Sequence, residues 1–181
     1  MTEADPGVEA HYFEDGGAVP NNPALPLLVY RQVSGLGFGD VATAIEARFG
    51  QNGWGNGWRN GIYPFHHFHS NAHEVLGIAA GRAKVRFGGA SGISVEVQLG
   101  DVVVIPAGVG HKREEGSDDL LVIGAYPPGE DPDLVQEGEG DGRMLRDRIR
   151  AVPVPRTDPM LGAGGPLVTI WREAARGTKP S

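Results

Sequence analysis

Glycine and proline are the residues that most constrain this chain: 29 glycines and 14 prolines are spread without period over 181 residues. A long helix would be punctuated by them at nearly every turn, so a helical bundle is excluded. An excess of this kind can also mark disorder. Here, however, hydrophobic residues make up 40% of the chain and gather in short β-branched runs, which predicts a folded all-β domain with many tight turns. Strands are expected at Leu25–Val33, Tyr63–His69, His73–Ala79, Ala83–Phe87, Ile93–Gln98, Val102–Ile105, Gly110–Glu114 and Leu120–Ala125. The gaps from Ile62 to Ala125 are too short for crossover helices, so the sheet is antiparallel, of sandwich or barrel type.

The remaining segments read as follows. Residues 1–24 form a polar, acidic arm. Asp40–Phe49 suits a short helix, with Asp40 as cap and Ala42, Ile45 and Phe49 on one face. Gln51–Gly61 carries three Asn-Gly pairs and reads as a loop. Its tryptophans either plug one end of the β body or wall a ligand cavity, with Trp58, Arg59 and Tyr63 nearest the chemistry. Tyr126–Gly142 is acidic, proline-rich and strandless, a surface loop or linker. Met144–Ile149 is a helical turn or two, and Pro166–Trp171 is a last strand added to a sheet. A single domain over 25–171, with a frayed tail over 172–181, accounts for the whole chain.

Charge and cysteine content narrow the function classes. Sixteen basic against 23 acidic residues give a net charge of −7, which disfavours backbone-driven nucleic-acid binding. With no cysteine, disulfides and thiolate zinc sites are excluded. No apolar run is long enough to span a membrane, and the acidic first residues do not resemble a signal peptide. The expectation is a cytoplasmic protein acting on a small molecule, with neither nucleic acid nor membrane as partner.

Four of the six histidines are His66, His67, His69 and His73, and Glu74 follows directly. On a strand, His67 and His69 project together while His66 faces the other way. A hairpin can return the Glu74 carboxylate to the same interior, and the Pro-x-Gly turn in IPAGVG can aim His111 there. Three imidazoles and a carboxylate suit one divalent first-row ion, Fe, Mn, Ni, Co or Zn. Against this stands the plainer reading of hydrogen-bonded polar residues in a β protein. His66 and His73 are expected to hydrogen-bond across strands or to support a ligand from behind.

GIYPFHHFHSNAHEVLGIAAG (Gly61–Gly81) and GDVVVIPAGVGH (Gly100–His111) resemble the two signature motifs of the cupin superfamily, with a motif core over 61–115. Gly61, His67, His69, Glu74 and Gly81 match the first motif; Gly100, Pro106, Gly108 and His111 match the second. Where the family pattern ends in Asn, this chain has Glu115, at a position the family does not use as a ligand. Together with PNNPALPLLVYR, the WRNGIY approach and GAYPPG, these stretches are similar to the YjlB-like single-domain bacterial cupins. The resemblance implies a double-stranded β-helix, or jelly-roll barrel, over about Leu25–Ala125. It also implies a metal held by His67, His69, Glu74 and His111, and a homodimer.

Function then divides between a metal-dependent enzyme of dioxygenase or isomerase type and a non-catalytic protein that binds or senses a metabolite or metal. An intact ligand set argues against a vestigial site. An accessible ion is expected in an apolar pocket lined by Phe65, Leu76, Ile78 and Trp58. Tyr63, Arg59 and Arg113 are the candidate catalytic groups. Arg113 shares a strand face with His111, and either arginine inside the cavity would suit a carboxylate or enolate-bearing substrate. The alternative places an arginine at the rim, paired with Glu114, Glu115 or Asp118.

Overall fold

The computed structural model describes residues 7–37 and 39–177. The first six residues of the expected arm, and the last four of the expected tail, lie outside the described residues. Eleven strands and three helices are present among them. In order these are β1 (Val8–His11), β2 (Leu27–Tyr30), α1 (Val41–Gln51), β3 (Gly55–Asn60), β4 (His67–Phe68), β5 (Glu74–Ala80) and β6 (Arg82–Phe87). They continue with β7 (Ile93–Gln98), β8 (Val102–Ile105), β9 (His111–Gly116), β10 (Leu121–Tyr126), β11 (Val135–Gln136), α2 (Gly142–Ala151) and α3 (Pro166–Ala175). All strand pairings are antiparallel. They form a six-stranded sheet ordered β1-β2-β8-β5-β10-β3 and a five-stranded sheet ordered β11-β4-β9-β6-β7.

One core fills the space between the sheets. Leu27, Val29, Leu76, Ile78, Val103 and Val122 from the larger sheet meet Ala83, Val85, Phe87, Val95 and Val97 from the smaller. A second core covers the opposite face of the larger sheet. There Leu28, Tyr30, Val75, Val102, Val104 and Ile123 pack under Ile45 and Phe49 of α1 and Leu167, Val168 and Trp171 of α3. The larger sheet is thus buried on both faces, and so LLVY and VVVI are uninterrupted apolar runs in β2 and β8. Strands β6 and β7 cover the core on one face only, and their burial alternates.

The helix expected at Asp40–Phe49 is α1, and Asp40 caps it by accepting from the Thr43 N–H at 3.1 Å. The expected strand at Pro166–Trp171 is instead helix α3. The β-branched run misleads, because Leu167, Trp171 and Ala174 are spaced for one helical face and Pro166 stands in the first turn. The buried Asp158 carboxylate accepts from the Tyr30 hydroxyl at 2.5 Å and the Leu167 N–H at 3.1 Å. It thereby ties the start of α3 to β2. Two further expectations are corrected. Only His67 and Phe68 of Tyr63–His69 pair as strand, and the Gln51–Gly61 loop contains β3, an edge strand paired with β10.

The arm lies along the body. Asn21 donates to the Gly88 carbonyl at 3.1 Å and accepts from the Gly110 N–H at 3.2 Å, while Asn22 donates to the Ala107 carbonyl at 3.0 Å. This close passage demands glycine at 108: φ is +89°, and a Cβ there would stand 2.4 Å from the Asn21 carbonyl oxygen. No described helix is long and apolar enough to cross a membrane.

Candidate metal centre

The row of imidazoles is made by strand register. His67 on β4 stands directly opposite His111 on β9, with ring centroids 4.0 Å apart. His69 lies beyond the end of β4, its ring 6.0 Å from that of His67 and 5.8 Å from that of His111. One ligand nitrogen from each of the three lies within 4.8 Å of the others, a group capable of holding a metal ion. Glu74 opens β5 on the facing sheet and points inward with Leu76 and Ile78, as strand parity requires. Its Oε2 is 3.1 Å from His69 Nε2 and 3.2 Å from His111 Nε2.

Each imidazole is pinned by a backbone carbonyl at Nδ1: His67 on Phe65 at 3.0 Å, His111 on Val109 at 3.2 Å, and His69 on Asp133. A carbonyl can only accept, so Nδ1 carries the proton and the neutral ring presents an Nε2 lone pair. At His69 and His111 that lone pair faces a carboxylate oxygen. Two acceptors at hydrogen-bond distance repel unless a cation lies between them, and the cation can be a proton or a metal ion. In the protein alone a proton serves at His69. Burial opposes its charge, but the neighbouring Glu74 carboxylate and its hydrogen bond outweigh burial and hold the imidazole up at about 9. Burial likewise pushes the Glu74 carboxyl up, yet the charge of His69 and its hydrogen bond prevail and hold it below the usual carboxylate range. His67, buried and beside His111, is pushed down to about 3 and stays neutral. The three converging imidazole nitrogens are donors of a kind that suits a metal ion.

The second carboxylate oxygen of Glu74 accepts from the Tyr126 hydroxyl at 3.1 Å, and that hydroxyl accepts from Trp58 Nε1 at 2.8 Å. Burial and the adjacent Glu74 raise the Tyr126 phenol above its ordinary value, so it remains a donor. The indole of Trp58 lies across Gly124, where a Cβ would come within 2.0 Å of it. That contact gives GAYPPG its first glycine. Neither Tyr126 nor the Trp58 bond to it follows from spacing alone, since they join strands whose pairing the sequence does not reveal.

The histidines open onto a cavity of about 520 Å³, whose walls include Trp58, Asn60, Ile62, Tyr63, Leu76, Arg113, Tyr126 and Leu134. Of the expected apolar lining, Trp58 and Leu76 are in place. Phe65 is not among the lining residues and stacks on Tyr63 at 5.0 Å, and Ile78 belongs to the inter-sheet core. Tyr63 stands half-exposed at the mouth. Arg59 is not in the cavity: on β3 it alternates with Trp58 and turns to the outer face, pairing with Glu46 of α1 at 2.6 Å. Arg113 does line the cavity.

The segment expected as a strandless surface loop or linker, Tyr126–Gly142, is a strap across the site. Pro132, Asp133 and Leu134 line the cavity, and Val135–Gln136 pairs with β4. The Asp133 carboxylate accepts from the N–H and hydroxyl of Ser70 and from Arg148 of α2 at 3.2 Å. Glu130 accepts from the His73 N–H at 2.9 Å. His73 itself is fully buried away from the cavity. Its Nδ1 accepts from the Ala107 N–H at 2.9 Å, its Nε2 donates to the Pro153 carbonyl at 3.1 Å, and its ring packs on Trp171. His66 has a buried Nδ1 with no hydrogen-bond partner among the described residues and lies outside the site.

The chain is similar to several known proteins. Among solved structures, acireductone dioxygenase from Bacillus anthracis, bearing cadmium in its active centre, is similar with a TM-score of 0.39 and 15% identity over 71% of this chain and 84% of that one. A Bacillus subtilis oxalate decarboxylase mutant gives 0.35 and 17% over 71% and 25%. The coconut allergen cocosin gives 0.37 and 17% over 44% and 23%. A family model described as cupin matches residues 58–125, which contain all four expected ligands. The uncharacterized protein YjlB of Bacillus subtilis strain 168 is 39% identical over 163 residues, 90% of this chain and 96% of its own. On the strength of that relationship and of the histidine row that the cupin match spans, this chain belongs to the cupin superfamily, among the YjlB-like proteins.

Proposed function

We propose that the protein is a metal-dependent enzyme of oxygenase or isomerase type acting on a small organic substrate, with His67, His69, Glu74 and His111 as the ligands. The observation that carries this reading is the set of imidazole lone pairs aimed at one another and at a carboxylate oxygen, which a cation must reconcile. A bound first-row divalent ion supplies Lewis acidity or one-electron chemistry at that point. The protein's own groups do the rest. The three carbonyl bonds fix ring orientation, Tyr126 holds Glu74, and Trp58, Ile62 and Leu76 keep water from one wall. Tyr63 sits where a substrate enters. A cavity of about 520 Å³ falls in the size range of small-molecule sites, whereas an ion serving only to hold a fold needs no adjoining space.

Elemental analysis of the purified protein, and of His67→Ala and His111→Ala, tests the site: about one ion per chain is expected, and none in either variant. Unchanged metal content in both variants overturns the reading. Oxygen uptake and proton exchange with small carbonyl compounds then separate turnover from binding. A metal-loaded protein that binds such compounds without converting any is a binding or sensing protein. The expected homodimer is checked by sedimentation, where a 19.1 kDa species at micromolar concentration would count against it.

A further inference from the structure

The cavity wall contains three groups with formal charge besides the histidines, and two of them are accounted for. Glu74 is bonded to His69 and Tyr126; Asp133 is bonded to Ser70 and Arg148. The third is Arg113, and among the described residues no carboxylate lies within ion-pair distance of it. Simple alternation would place Glu115 on the same face as Arg113, where it would neutralise the guanidinium.

The register shows why it does not. β9 pairs Phe87 with His111 and Val85 with Arg113, but Lys84 with Glu115. Two residues of β9 are thus spent against one of β6 between Arg113 and Glu115. This β-bulge turns Glu115 to the solvent side, opposite Lys84, while His111 and Arg113 stay opposite the inward Phe87 and Val85. Glu114 is engaged elsewhere, with Arg86 at 3.0 Å and with Ser94 at 2.6 Å. The bulge therefore leaves one uncompensated cation on the cavity wall, two residues along the same strand from His111.

We propose that the cavity takes a small carboxylate with an apolar or aromatic body, its carboxylate paired with the Arg113 guanidinium and its body against Trp58, Ile62 and Leu76. A planar guanidinium fork matches the two oxygens of a carboxylate. A phosphate ester is a poorer match, because the wall offers it no second arginine or lysine and no helix N-terminus. The proposal rests on the metal reading only for what happens at the far end of the molecule; the pairing with Arg113 stands without it.

Benzoate and benzamide test this, because they share a shape and differ in charge. Titrated into metal-loaded protein and into protein stripped with a chelator, and followed by calorimetry, benzoate should bind at least tenfold more tightly than benzamide in both forms. Arg113→Gln should remove that preference with circular dichroism and metal content unchanged. Arg113→Lys should retain part of it, since charge persists without the fork. Arg59→Gln, on the outer face, should leave it as it was. Equal binding of the two probes, binding of neither, survival of the preference in Arg113→Gln, or its loss in Arg59→Gln would each overturn the assignment. Failure of the metal reading gives a different result: a protein that prefers benzoate through Arg113 yet takes up no metal keeps this proposal and loses the other.

Discussion

His73 and the trio of His67, His69 and His111 are all buried or nearly so, three of the four lie within seven residues of one another, and they do opposite work. In His73 each ring nitrogen meets its complement: Nδ1 receives a proton from an N–H and Nε2 gives one to a carbonyl. The ring is neutral and satisfied, a rigid joint between the β8–β9 turn, the segment before α3, and Trp171. In the trio each Nδ1 is held by a backbone carbonyl, while Nε2 of His69 and of His111 is turned toward the Glu74 carboxylate. The lesson is that burial does not distinguish a histidine of a candidate metal group from a structural one. The difference lies in what the second nitrogen faces: a backbone carbonyl at His73, a carboxylate at His69 and His111.

The largest effect expected from breaking this contrast is on metal affinity. Removing His67 or His111 leaves two imidazoles, and affinity should fall by two orders of magnitude or more, read by competition with a chromogenic chelator. Next is His73→Ala, which should leave metal content unchanged and cost about 2–4 kcal/mol of unfolding free energy in denaturant titration, since two buried backbone groups lose their partners along with ring packing. The sign of its pH dependence follows from burial, which holds His73 down at about 4. Its contribution is complete above pH 6.5 and is lost as pH falls toward 4, because the unfolded chain takes up the proton first. The gap between wild type and variant should narrow over that window.

A smaller effect belongs to Tyr126→Phe. It frees one Glu74 oxygen and strands the Trp58 N–H, and metal affinity should drop about tenfold with stability little changed. The smallest concerns Glu130, whose carboxyl burial pushes up to about 7, the hydrogen bond from His73 offsetting only part. A raised carboxyl favours the fold below its unfolded value of 4.5 and stops doing so as pH rises through 7. Glu130→Gln keeps the acceptor without the charge, so its melting temperature relative to wild type should climb between pH 4.5 and 8. A flat difference would show that the strap is open to water there.

The gathering of His67, His69, Glu74 and His111 at one place was legible because it needs only local rules: a two-residue period, a short hairpin and a Pro-x-Gly turn. Arg59 was misplaced because three Asn-Gly pairs read as loop, whereas pairing with β10 extends the segment and sends Trp58 in and Arg59 out. α3 was hidden by β-branched residues whose helical spacing matters only once the larger sheet offers a face to cover. Glu115 was indistinguishable from a partner of Arg113 until the bulge in β9 fixed its side. The strap escaped notice because acidic and proline-rich composition describes its solvent face and not its anchors at Ser70, Asn71 and His73.

β4 is two residues long, yet it borrows partners from far along the chain on both sides. His67 pairs with His111 and Gln136, and His69 leans on a carbonyl 64 residues downstream. Contacts of such span form slowly, after loop-closure entropy has been overcome. A nascent chain emerging through Glu74 therefore carries two of its imidazoles with no carbonyl to orient His69 and no His111 to complete the set. Order of assembly follows from this: the histidine row reaches its final geometry only after the strap has docked.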